Sequence, residues 1–112
     1  MTEWFRTWHG APSDPKWRLI AKRAAVRAGD VWAVVSYLFD RASQAEDRGS
    51  IVGADPELIA EVFGYEAEDV SRIIAELEVK AVIVAGRLAA WDKYQPKRED
   101  NSAERTKQWR ER

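Results

Sequence analysis

The 112-residue sequence predicts a mainly α-helical fold with a small antiparallel β-hairpin. Four stretches between Pro15 and Glu78 read as helices, two of them opening on an Asp-Pro pair, and "AVIVAGRLAAW" (81–91) places two short strand-forming runs around Ala85-Gly86. With 46% apolar and 33% charged residues, the chain suits one compact domain with a modest core.

The first helix follows from Asp14 as N-cap and Pro15 at the first helical position, where a missing N–H is harmless. It is expected to run for roughly ten to thirteen residues and to end near Gly29. Asp30 is the expected cap of the second helix, which sets Val31, Val34, Val35, Leu38 and Ala42 on one face, widened by Trp32 and Phe39. In the link "RGSIVGADP", Ile51 and Val52 are the only strand formers, so a very short strand is expected there.

Asp55 and Pro56 start the third helix, and Gly64 supplies a left-handed residue before the fourth, from Glu66 to Glu78. Ile59, Phe63, Tyr65, Val70 and Ile73 then fall at the apolar places of a helix-turn-helix frame that begins at Pro56, with the small Ala60 and the turn residue Gly64 in register. A sheet is expected from residues near 51–52, 81–85 and 87–91. Residues 1–95 are expected to form the domain; residues 96–112 form a polar, basic-leaning tail that is either a linker to a further C-terminal region or a helix that orders on contact, with Trp109 as its one large anchor.

The order helix, helix, short strand, helix, turn, helix, hairpin resembles a winged helix-turn-helix domain. The stretches "EWFRTWHG…DPKWRLIAKRA" and "RGSIVGADPELIAEVFG", the hairpin followed by Trp91, and the tail "YQPKREDNSAERTKQWRER" are similar to the N-terminal domain of phage and prophage replication proteins of the replisome-organiser type. The resemblance implies a DNA-binding or replisome-assembly role, and it brings no catalytic residues.

The charge distribution qualifies that expectation. Residues 1–49 hold eight Lys/Arg and six Asp/Glu, residues 50–79 hold one and eight, and residues 80–112 hold nine and five. The net charge of -1 therefore hides an acidic middle between basic flanks. The helix expected to read bases turns Glu66, Glu68, Ser71, Arg72 and Ala75 outward, and the acids on that face repel phosphate. In its first turn Glu68 and Asp69 also complement the helix dipole.

Candidate phosphate ligands lie elsewhere: Lys16, Arg18, Lys22, Arg23 and Arg27 in the first helical stretch, with Arg18–Lys22 and Arg23–Arg27 as i,i+4 pairs, then Arg72, then Arg87 and Lys93 of the hairpin region, then Lys97 and Arg98 of the tail. The same basic stripe can instead be a solvated face or a set of partners for the acidic middle. Trp4, Phe5, Trp8 and Trp17 beside Arg6 and His9 can stack on single-stranded bases, or can close a small core.

Two functions remain. In one, the chain binds DNA, duplex or single-stranded, through the basic first helix, the wing and the tail, in company with replication proteins or a second copy of itself. In the other it is a protein–protein interaction module without direct DNA contact, whose docking residues are Glu66, Glu68, Asp69 and Trp109.

The absence of cysteine and the single His9 leave no residues for a disulfide or a thiolate metal site, and no metal or cofactor is expected. No P-loop, GxGxxG, HExxH or nucleophile-elbow motif occurs, so an enzyme is not expected. The apolar run "VWAVVSYLF" falls short of the roughly 20 residues that span a bilayer. The N-terminus lacks a signal-peptide apolar region, and the expectation is a cytoplasmic protein with no membrane partner.

Overall fold

A computed structural model describes residues 4–95. In chain order the elements are a 3₁₀ turn (Ala11–Ser13), α1 (Pro15–Ala24), α2 (Ala28–Gln44), α3 (Pro56–Phe63), α4 (Ala67–Val79), β1 (Ile83–Val84), β2 (Arg87–Leu88) and α5 (Trp91–Tyr94). The fold is mainly helical, with a two-stranded antiparallel sheet in which Ile83 pairs with Leu88 and Val84 with Arg87. Among the described residues no helix is long and apolar enough to cross a membrane.

The two Asp-Pro starts work as caps. The Asp14 carboxylate accepts from the Lys16 N–H at 2.9 Å and that of Asp55 from the Glu57 N–H at 3.0 Å, each satisfying one donor that the helix leaves open. The second helix departs from expectation. It begins three residues earlier, with Arg27 at the cap, so Asp30 sits in its first turn and accepts from the Arg27 N–H at 3.1 Å. Gly29 consequently lies inside α2, while α1 ends at Ala24 because Ala25 turns left-handed, with φ 58.

The central helix is α2. Val31, Val34, Val35, Leu38, Phe39 and Ala42 are all buried along it, each large one contributing roughly 1.5–3 kcal/mol of transfer free energy. Against this stripe α1 lays Trp17, Ile20, Ala21 and Ala24, and α4 lays Val70, Ile73 and Leu77. Ile59 and Ala60 of α3 complete the contact below the Gly64 turn. Phe63 instead stays at the rim, in contact with Tyr37 and Tyr65. Partial burial raises the Tyr65 phenol above its ordinary pKa, and the hydrogen bond and charge of Asp30 add to the rise.

The expected third strand shrinks to a single bridge, Ser50 with Arg87. Ile51 N–H donates to the Gly86 carbonyl at 2.8 Å and Leu88 N–H to that of Gly49 at 3.0 Å, so the link lies along the free edge of β2 while Val52 points into solvent. Strand formation also stops at Leu88. Residues 89–94 fold back into α5, which carries the fully buried Trp91. At the hairpin tip Ala85 and Gly86 both have positive φ (52 and 74), the geometry of a two-residue turn matched to strand twist.

Gly49 is where this part of the molecule closes. Its φ is 104, and a Cβ there would stand 2.7 Å from the Arg87 guanidinium and 2.8 Å from the Trp91 ring. The N-terminal segment seals the same region. Phe5 stacks on Phe39, Trp8 stacks on Tyr94, and the Gln95 side chain both accepts from the Arg6 N–H at 2.9 Å and donates to the Arg6 carbonyl at 2.7 Å.

Opposite stability changes follow from these backbone positions. Gly49→Ala should cost roughly 2–5 kcal/mol through strain and overpacking. Ala25→Gly, at the left-handed end of α1, should gain up to about 1 kcal/mol, raising the thermal midpoint by roughly 4–8 °C for a domain of this size. Thermal melts followed by circular dichroism distinguish the two; an unchanged midpoint for Gly49→Ala would contradict the packing described.

Candidate nucleic-acid interface

With Trp17, Ile20, Ala21 and Ala24 facing the core, the helical repeat turns Lys16, Arg18, Lys22 and Arg23 outward, and all four are exposed. Arg18 and Lys22 stand one turn apart, side by side, and make no ion pair with a described residue. The Lys16 ammonium sits 5.6 Å from the Trp17 ring centroid. Arg23 is bonded to Glu76 of α4 at 2.6 Å. Arg27 is exposed but follows the left-handed turn at Ala25, so it does not continue the α1 row; the i,i+4 relation between Arg23 and Arg27 is broken there.

Other candidates are held by bonds inside the fold. Arg72 donates from Nε to the Ala24 carbonyl at 3.0 Å and from Nη2 to Asp69, so it closes the C-terminal end of α1 from across the α1–α4 contact. Arg87 donates to Asp47 at 2.7 Å and to the Arg48 carbonyl at 3.0 Å, with Asp92 at 3.9 Å. It braces the hairpin against the loop after α2. Lys93 lies on the exposed side of α5 with its ammonium 5.2 Å from the Tyr94 ring centroid. Lys97, Arg98 and Trp109 fall outside the described residues.

On α4, Glu66 stands at the N-cap without a side-chain capping bond, Glu68 is exposed in the first turn, and Asp69 pairs with Arg72. The outward face of this helix thus presents carboxylates around a cation that is already engaged, a poor surface for phosphate or for guanine.

The aromatic residues near the N-terminus act mainly as cover for the core. Trp17 is buried and donates from Nε1 to the Ala11 carbonyl at 2.6 Å, Trp8 is half-buried against Tyr94, and Trp4 alone of the three tryptophans stands open. A crevice of about 220 Å³ does open among Lys16, Trp17, Val82 and Ala89. It is smaller than the roughly 300–1,000 Å³ of ordinary ligand sites, and its aromatic walls are already covered by one another.

The pairing of Arg23 with Glu76 is the expected alternative in which the basic stripe partners the acidic middle. Sequence reasoning missed the bonds of Arg72 to the Ala24 carbonyl and of Arg87 to Asp47, whose partners lie 48 and 40 residues away in the chain. Comparison of the chain with protein-family models, with curated proteins and with solved structures finds no match.

The division between cations of the fold and cations of the surface is testable without any ligand. Arg72→Ala should lower stability by about 1–2 kcal/mol, because it strips a charged donor from a helix-end carbonyl, whereas Arg18→Ala should change it by less than about 0.5 kcal/mol, as exposed substitutions do. Chemical denaturation of the two variants measures both.

Proposed function

We propose that this chain is the DNA-binding, replisome-assembly part of a phage-type replication protein, built as a winged helix and engaging nucleic-acid phosphates through α1 rather than through the second helix of its helix-turn-helix. The order of elements supports the architecture: α3, a glycine turn, α4 and a hairpin whose outer edge receives the segment between α2 and α3.

One observation carries the choice of surface. Arg18 and Lys22 project together from a stretch, residues 15–29, that contains five Lys/Arg and no Asp/Glu, and they are not engaged by any described carboxylate. Lys16 and Arg27 flank them in sequence, are both exposed, and add to the positive field around this stretch. Phosphate contacts of this kind position a protein on nucleic acid and carry no sequence information. The mode of binding is therefore electrostatic, weakly dependent on sequence and steeply dependent on salt.

With Arg87 tied to Asp47 and the Arg48 carbonyl, the wing contributes Lys93 at most. The tail cations Lys97 and Arg98 add to the same electrostatic term. Arg18→Ala with Lys22→Ala should weaken binding several-fold on every sequence and flatten the slope of log affinity against log salt by about two units, one per lost phosphate contact. Mobility-shift titrations against duplex and single-stranded DNA at several salt concentrations check this. An unchanged slope in that double variant would remove α1 from the interface and favour an assembly module without DNA contact.

A further inference from the structure

The faces of α3 and α1 each carry large apolar side chains into solvent, and their surroundings have opposite charge. On α3, Leu58 is 52% and Val62 57% exposed. They lie one turn apart, alongside Glu57 and Glu61, which form a parallel pair at the same spacing. On α1, Leu19 is 58% exposed and sits between Arg18 and Lys22 in the sequence of that helix.

Neither field is mixed. Residues 55–69 contain six Asp/Glu and no Lys/Arg, whereas residues 15–29 contain five Lys/Arg and no Asp/Glu. The two faces do not satisfy each other inside one molecule, since Glu57, Glu61, Arg18 and Lys22 make no ion pair among the described residues. Charge of one sign around an apolar centre is the composition of a steered protein contact, with the apolar atoms giving adhesion and the charges giving orientation and rate.

We propose that the α3 face of one molecule docks on the α1 face of a second copy, Leu58 and Val62 meeting Leu19 while Glu57 and Glu61 meet Arg18 and Lys22. The contact is heterologous: each molecule offers a different surface, so each docked copy leaves one face of either kind open and further copies add head to tail. Three exposed apolar side chains make a small patch, well below the roughly 1,600 Å² of a standard interface, so the association is weak and reversible. Its charged part is screened once the Debye length falls to a few ångströms. Use of α1 by a second copy excludes its use by phosphate, but the inference does not depend on nucleic-acid binding.

Sedimentation of the full chain tests it. The mean mass should rise with protein concentration at about 0.05 M salt and return to the monomer at about 1 M, where the Debye length is near 3 Å. Glu57→Lys with Glu61→Lys should be monomeric alone, and so should Arg18→Glu with Lys22→Glu; an equimolar mixture of the two should associate again, because the charges are then complementary between partners. All four side chains are exposed, so unchanged helical circular dichroism and thermal midpoints certify that each variant is folded. A wild-type monomer at every concentration in low salt, or a mixture that stays monomeric, would overturn the proposal. Association retained by both variants alone would assign these faces no role and point to another contact, such as the basic 97–112 segment.

Discussion

The close packing of Trp91 over Gly49 is the constraint on which the rest of the structure leans. A left-handed, side-chain-free residue at that point lets the indole and the Arg87 guanidinium descend onto the backbone of the loop after α2. Trp91 then fills the space against Phe39, with the Arg48 guanidinium 5.3 Å from its ring centroid. From this one junction the hairpin acquires its position. The link before α3 acquires its bridge to β2, and Gln95 acquires the place from which it binds the Arg6 backbone. A domain of this size has little core to spare, so a single large aromatic in such a place extends the α2 stripe, through Phe39, to the hairpin and the loop after α2.

That junction also decides which charges are available for function. A basic hairpin would ordinarily be read as a phosphate clamp, but Arg87 is turned inward to Asp47 and the Arg48 carbonyl. At the other side of the molecule Arg72 and Arg23 join α4 to α1, the first by closing a helix end and the second by pairing with Glu76. What is left facing solvent is an α1 surface with Arg18 and Lys22 and an α3–α4 surface rich in carboxylates. The polarity that the whole-chain charge of -1 conceals is thus spatial as well as sequential. Partners with opposite needs can use the two sides.

Much of this was legible from the residues, and the failures have physical causes. Asp14-Pro15, Asp55-Pro56 and Gly64 marked boundaries because each residue type has one strong reason to be there: a capping oxygen, a missing N–H, freedom at positive φ. The α2 stripe was readable because burial enforces the helical period. The end of α1 was not, since Ala25 adopts a left-handed conformation that alanine does not advertise. Asp30 misled because an aspartate is as well placed in the first turn as at the cap. The strands are two residues long and α5 four, too short for any period to register. For the candidate interface, the sequence identified the cations but could not tell a solvated arginine from one engaged across a tertiary contact.

The central claim is that α1, and not the acidic α4, meets nucleic acid. Amide chemical shifts followed while short duplex DNA is titrated into the full chain at low salt test it directly. The account predicts shifts that grow through Lys16–Arg27 and fade as salt is raised, with the amides of Glu66–Ala75 unmoved. Shifts concentrated at Glu66–Ala75, with residues 16–27 silent, would contradict it.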